Sequence, residues 1–423
     1  MLPIEVMTGF IILIVTYYLI ASERIHRAVA AMIGVSLTII ALKVFNKSLE
    51  TIFEHVDLNT IILLLSMMMT VTIMEKAGLF EVISWKIMSM SHGSVFLLMF
   101  LLSILTGILS AFLDNVTTVL IVGPITLEIT KHAKLDPRPF IFSEIFSSNI
   151  GGTSTLIGDP PNIIIGTQAH LTFNDFLYNT GPISFFLLLT TPIIMYLLFK
   201  GDLESKQISE KILEKIPHEP KNIRLFRESI FVLFLIISLF LTEEYHHIPS
   251  SLIALLGASL LLAISRVSAT EVIRAVEWPT IVFFIMLFMV IGGVAELGVI
   301  DFIALEISKV HLNTYQISLI ILWISMFASA FVDNIPYVAT MVPTIEKLNA
   351  ILGIKTNVLY WALSLGGCYG GNGTPIGASA NVVLLSLTDR SGCHITWREY
   401  LKYGMIVLMI TGLVSSIYLL RYL

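Results

Sequence analysis

Charge is what this chain has least of. Asp, Glu, Lys and Arg make up 13% of its 423 residues, about half the share found in a soluble domain, whereas 56% are hydrophobic. Such a chain has too little polar surface to face water and reads as an integral, multi-pass membrane protein. Cysteine is nearly missing as well, and Cys368 and Cys393 make no disulfide framework. No phosphate loop of the Gly-x4-Gly-Lys-Ser/Thr type occurs, so no ATPase motif is present and driving energy has to come from an ion gradient. The net charge is −5 and no basic run is interleaved with aromatics, which argues against nucleic acid as a partner. The opening MLPIEVMTGFIILIVTYYLIA has no basic segment before its apolar run and is read as a retained first helix.

What is there is apolar and repeated. Runs long enough to cross a bilayer fall at 5–21, 28–44, 58–75, 140–166 and 182–199, and again at 229–242, 249–265, 279–295, 357–385 and 403–420. Between the third and fourth of each set lies a longer stretch, 94–130 and 312–348, broken in its middle by polar residues. This is the pattern of a helical hairpin that enters the membrane and returns to the same side. SAFLDNVTTVLIVGPIT from Ser110 aligns with SAFVDNIPYVATMVPTI from Ser329, Thr155-Leu-Ile-Gly158 with Thr374-Pro-Ile-Gly377, and Asn162 with Asn381. The chain is therefore an internal duplication. Its expected fold class is an all-α polytopic membrane protein with two inverted repeats of five crossings, each with a re-entrant hairpin and a broken helix. The expected units are 1–199, a cytoplasmic linker 200–227, and 228–423. Five crossings per unit turn the second copy upside down. Placing 200–227 in the cytoplasm puts 19 of the 25 basic residues inside, satisfying the positive-inside rule with both termini outside.

Polar residues inside the apolar runs mark the site. Asp114 and Asp333 lie at the centres of the two interrupted stretches, each followed by Asn115 or Asn334. A carboxylate at such depth costs at least about 2.5–3.5 kcal/mol unless protonated, paired or bound to a cation. Each Asp-Asn also suits the cap of the second hairpin arm, with Thr117 one turn on. The second pair of interruptions is rich in Gly and Pro: Ser148 to Asn162, and Gly366 to Asn381. A continuous helix through either is implausible, and unwound backbone at that depth belongs around a cavity. Asn149, Gly151, Gly152, Thr153, Thr155, Asp159 and Asn162 in one half, with Gly370, Asn372, Thr374 and Asn381 in the other, are the candidate substrate- or ion-binding residues. Asp114, Asn115, Asp333 and Asn334 are the candidate Na+ ligands. The halves differ where coupling needs asymmetry, since Asp159 aligns with Ala378 and Glu144 with Leu363. The alternative role of Asp159, just before Pro160, is to cap a half-helix.

At these motifs the chain resembles the ion transporter superfamily, the citrate-transporter-like group that includes dicarboxylate carriers, arsenite permeases and the pink-eyed-dilution P protein. SAFLDNVTTVL and NIGGTSTLIGDPPNIIIG are most similar to the arsenite-permease and P-protein branch. The resemblance implies a homodimer working by elevator-like movement, without resident cofactors, in what is expected to be a prokaryotic cell membrane. Dicarboxylate carriers carry Ser-Asn-Thr at each hairpin tip; here the matching positions read Asp114-Asn115-Val116 and Asp333-Asn334-Ile335. An ionised Asp beside an anion repels it unless Na+ or a proton neutralises it.

The expected function is a secondary active transporter, not an enzyme, that moves a small anion or neutral oxyacid of the arsenite or carboxylate class, coupled to H+ or Na+. The alternative is a Na+/H+ antiporter using the hairpin aspartates. An intramembrane aspartyl protease is a remote third reading, disfavoured because no Gly-x-Gly-Asp occurs.

Overall fold

Hydrophobic runs that cannot leave backbone groups unpaired in lipid must become helices. The computed structural model, which describes residues 3–22, 24–203, 219–310 and 312–422, is accordingly helical, with no strand among the described residues. The first half contains α1 (Ile4–Ala21), α2 (Arg27–Val44), α3 (Leu58–Ala77), α4 (Leu79–Ser89), α5 (Val95–Ser110), α6 (Asn115–Ala133), α7 (Arg138–Gly152), α8 (Pro160–Gln168) and α9 (Gly181–Leu198). The second half runs through α10 (Ile223–Leu241), α11 (Ser250–Ser265), α12 (Trp278–Glu296), α13 (Val299–Ser308), α14 (Thr314–Phe331), α15 (Asn334–Leu352), α16 (Val358–Gly370), α17 (Ser379–Arg390) and α18 (Trp397–Tyr418). Short helical turns join them. Helix starts recur between the halves: α3 and α12 begin 220 residues apart, α6 and α15 219 apart, and α8 and α17 219 apart.

Local chemistry explains the boundaries. Asp57 caps α3 by accepting from the Asn59 and Thr60 amides, and Gly78, at φ 77°, ends it in the left-handed conformation. Each hairpin turns at its Asp-Asn pair: Asp114 accepts from the Thr117 amide at 2.9 Å and Asp333 from the Ile335 amide at 3.1 Å. Among the described residues seven stretches have the length and apolarity of a crossing, namely α1, α2, α3, α9, α12, α14 and Trp397–Tyr422. The expected fourth crossings are absent from that set because each is split in two. α14, expected as the first arm of a hairpin, is present because it has a crossing's length and ends only at Phe331, two residues before Asp333 caps α15. α10 opens at Ile223, ahead of the apolar run expected from 229, because Asn222 caps it and Arg224 and Glu228 pair along its first turns at 2.7 Å. Of the expected linker 200–227, residues 204–218 lie outside the described residues.

The helices interlock across the halves. α2 packs on α12 and α11 on α3, so the second helix of each half lies against the third of the other; likewise α6 packs on α17 and α15 on α8. Within each half the first hairpin arm lies against the broken helix, α5 on α7 and α14 on α16. α7 and α16 are buried along their whole length apart from Arg138, whereas α1 and α10 expose Ile11, Ile14, Tyr18, Phe231 and Phe234. Lipid tails are as apolar as these side chains, so close packing rather than water exclusion holds such helices together. The hairpins and broken helices thus form one packed body, buried at the broken helices but exposing Ile108 on α5 and Ile320, Ile324 and Phe327 on α14, with aromatic packing of Phe142 against Phe146, Phe199, Tyr400 and Tyr403.

Candidate functional site

The two breaks are shorter than the Gly- and Pro-rich stretches that contain them. α7 stays helical through Asn149, Gly151 and Gly152, and α16 through Gly370, so the unwound segments are 153–159 and 371–378. The glycines in those last turns serve packing. A Cβ on Gly151 would collide with the Gly107 carbonyl, and one on Gly370 would meet the Met326 carbonyl at 2.5 Å. Backbone thus touches backbone where hairpin and broken helix cross.

Each break is held by matching hydrogen bonds. Thr155 Oγ1 donates to the Ala111 carbonyl and Thr374 Oγ1 to the Ala330 carbonyl, tying each unwound segment to the neighbouring hairpin tip. Asn162 Nδ2 donates to the carbonyls of Thr153 and Thr155 at 3.2 and 2.9 Å, and Asn381 Nδ2 to those of Gly371 and Thr374 at 2.7 and 3.0 Å. These two amides replace the helical partners that the unwound carbonyls have lost. Asn149 links the halves, donating to Asn372 Oδ1 at 2.9 Å and Asn381 Oδ1 at 3.1 Å while accepting from Asn115 Nδ2 at 3.3 Å. Ser364 donates to Asn162 Oδ1 at 2.7 Å. Both broken helices and both hairpins are therefore braced into one body. Glu144, on α7, lies away from the breaks and accepts from Thr126 Oγ1 on α6.

One cavity lies where the tips and breaks meet. Its walls include Asp114, Asn115 and Val116 from the first tip, Asn334 and Ile335 from the second, Asp159 and Pro160 from the first break, and Ala378, Ser379 and Ala380 from the second. Those four segments are the starts of α6, α15, α8 and α17, so four positive helix ends converge there; α8 opens on Pro160 and Pro161, which carry no N–H, so free backbone amides come from the other three starts. Asp114 caps its own helix through the Thr117 amide and hydroxyl. Asp159 is buried, makes no side-chain cap, and leaves Oδ2 without a hydrogen-bond partner among the described residues. It shares the cavity wall with Asp114. Asp333 lines an adjoining cavity with Ile20, His26 and Phe331.

A match to the citrate transporter (CitMHS) family model spans residues 17–366. The chain belongs to the citrate transporter family. It is 35% identical to a 46 kDa membrane protein of Mycobacterium leprae, over 97% of this chain and 98% of that protein. It is 36% identical to an uncharacterized transporter of Mycobacterium tuberculosis, over 97% of each. The human P protein is 31% identical over 96% of this chain and 58% of its own length. Among solved structures, the Alcanivorax borkumensis YdaH transporter superposes with a TM-score of 0.65 at 13% identity, covering 90% of this chain and 88% of that one. Neisseria gonorrhoeae MtrF gives 0.63 at 13% identity, covering 99% and 95%. At that identity the likeness is one of fold.

In this citrate transporter family member the sequence-derived residues separate into two groups. Asp114, Asn115, Asp159 and Asn334 line the central cavity and Asp333 its neighbour. Thr117, Asn149, Thr153, Thr155, Asn162, Asn372, Thr374 and Asn381 lie behind the wall and hold it in shape. Four polar wall residues are not marked by the sequence: Arg27, Glu277, Thr280 and Ser379. By sequence Arg27 reads as one of the basic residues at the inner membrane edge. Its signal is an asymmetry of the repeat, because α2 opens on Arg27 where α11 opens on Ser250.

Proposed function

We propose that this family member is a secondary active transporter for a small anion or a neutral oxyacid of the arsenite or carboxylate class, coupled to H+ or Na+. The observation that carries this reading is the convergence of four helix starts on one cavity lined by Arg27. Each helix start offers about half a positive charge, and those of α6, α15 and α17 add free backbone amides that the Pro160-Pro161 start of α8 lacks, a ready-made anion site. The carboxylates of Asp114, Asp159 and Asp333 stand beside it, so an anion gains stability there when a cation enters with it or a proton neutralises an Asp. Asp114, Asn115, Asp333 and Asn334 are the residues we assign to Na+, and no resident cofactor is invoked. The braced inner body would move against the outer helices in an elevator motion, in two inverted repeats with both termini outside, within a homodimer.

The three neighbouring carboxylates favour a second reading, Na+/H+ antiport. One experiment separates the two. Purified protein in proteoliposomes with an internal pH-sensitive dye is challenged separately with Na+, Li+, arsenite, citrate, succinate and phosphate. Flux of one anion or oxyacid, with silence towards cations alone, supports the first reading. Proton movement driven by Na+ or Li+ alone, and lost in Asp114→Asn, establishes the antiporter instead. A double Asp114→Asn, Asp333→Asn variant that folds and transports normally would remove both aspartates from the mechanism.

A further inference from the structure

Arg27 is the only arginine or lysine among the described residues lining the central cavity or its neighbour, and with Ser379 it belongs to the walls of both. It comes from an outer helix, α2, and reaches inward. Nη2 donates to Thr280 Oγ1 on α12 at 2.7 Å, and Nη1 to Ser379 Oγ at the start of α17 at 3.1 Å. The guanidinium lies 5.4 Å from the centre of the Phe283 ring. Its carboxylate neighbour, Asp333 Oδ2, stands 3.9 Å from Nη1, outside hydrogen-bond distance. Among the described residues the guanidinium thus spends two of its five N–H donors, both on hydroxyls.

We propose that Arg27 is the binding residue that pairs with the charge of a transported anion, and that Asp333 balances it when no anion is bound. This rests on the transporter reading above and adds a residue outside the hairpins and breaks to it. A guanidinium presents a planar fork that matches a carboxylate or an oxyanion with two parallel hydrogen bonds. The donors are free to do so because the pairing with Asp333 is long. Placed between the two cavities, Arg27 meets an anion that arrives in either. The ionisable groups that face it are His26, the N-cap of α2, Glu277, the residue before α12, Asp333 on the second hairpin tip, and Asp114 and Asp159 across the central cavity. All of the acids oppose anion binding, and Asp333 competes for the guanidinium directly.

Loss of Arg27 and loss of the Asp333 charge should therefore move anion affinity in opposite directions, which damage to folding would not. The test is equilibrium binding to the full-length purified protein in Na+-free buffer, so that the Na+ role assigned to Asp333 does not enter, with citrate, succinate and phosphate as charged probes and arsenous acid as a neutral one. Arg27→Gln should raise the Kd of the anion bound by the unmodified protein at least about tenfold, the scale of a lost charge-assisted hydrogen bond. Arg27→Lys should recover part of that loss, and Asp333→Asn should lower the Kd. Where Arg27→Gln does not yield folded protein, the signs for Arg27→Lys and Asp333→Asn decide. Unchanged affinity in folded Arg27→Gln, weaker binding in Asp333→Asn, or binding of arsenous acid alone with no effect of Arg27→Gln would overturn the assignment. Absence of any binding by the unmodified protein, with Na+-driven proton flux intact, would instead remove the anion reading on which it rests.

Discussion

At the scale of single residues, the side chains that shape the cavity are distinct from those that face it. Asn162 and Asn381 each satisfy backbone carbonyls stranded by a break, and both are fully buried. Leaving a buried acceptor unpaired costs about 1–3 kcal/mol, so Asn162→Ala and Asn381→Ala should each lower stability by at least that amount. Thermal unfolding in detergent measures it; a Tm equal to that of the parent protein would show that the amides are dispensable. Glu243 gives a pH-dependent case outside the membrane spans. It accepts from Ser250 Oγ at 2.8 Å and from the Phe173 amide at 3.3 Å, and burial pushes its pKa above the ordinary glutamate value in spite of both bonds. A carboxyl with a raised folded-state pKa holds its proton more tightly folded than unfolded. Its contribution is complete below the unfolded value and is lost as pH rises from about 4, the usual glutamate range, through the folded pKa. Glu243→Gln should therefore flatten the fall of Tm with pH over that window, and a parallel Tm profile for variant and parent would contradict it.

At the scale of elements, the decisive contacts are helix crossings made by glycine. Gly151→Ala and Gly370→Ala put a methyl group against the carbonyls of Gly107 and Met326, and overpacking of that kind costs about 1–3 kcal/mol. Gly201→Ala, with nothing within 4 Å of the added carbon, should leave stability unchanged. Unfolding temperatures that fail to separate the two helix-crossing variants from this control would refute the packing role. The same crossings show what the sequence reveals and what it hides. Asp114, Asp333 and the Gly-Pro stretches are legible because polar or helix-breaking residues within apolar runs have few innocent explanations. The extent of each break is not legible, since tertiary contacts keep Asn149, Gly151, Gly152 and Gly370 helical where their own propensity is poor. Arg27 is hidden for another reason. A basic residue at the edge of a crossing looks like an ordinary topology determinant, and only the folded arrangement of α2, α12 and α17 turns it inward.

At the scale of the molecule, the two halves supply matching contacts between outer helices and the inner body, and these offer a test of movement. Thr60, in the first turn of α3, bonds to its cap Asp57 at 2.7 Å and to Thr167 on α8 at 2.7 Å. Its counterpart Thr280, in the first turn of α12, bonds to its cap Glu277 at 3.1 Å and is reached by Arg27, which bridges to α17. Each contact joins an outer helix to the second half of a broken helix. If the inner body slides as a unit, Thr60 and Thr167 must part during the cycle, because α8 belongs to the moving body and α3 does not. With Cys393 replaced by Ser and Cys368 left buried, Thr60→Cys with Thr167→Cys places two sulfurs where two hydroxyls now touch, a separation that a disulfide can close. Oxidation should then stop flux in proteoliposomes while binding of the substrate persists on the accessible side, and reduction should restore flux. Full transport by protein shown to be cross-linked would mean that α8 keeps its place against α3, and that access alternates by local opening of the hairpin tips around a stationary site.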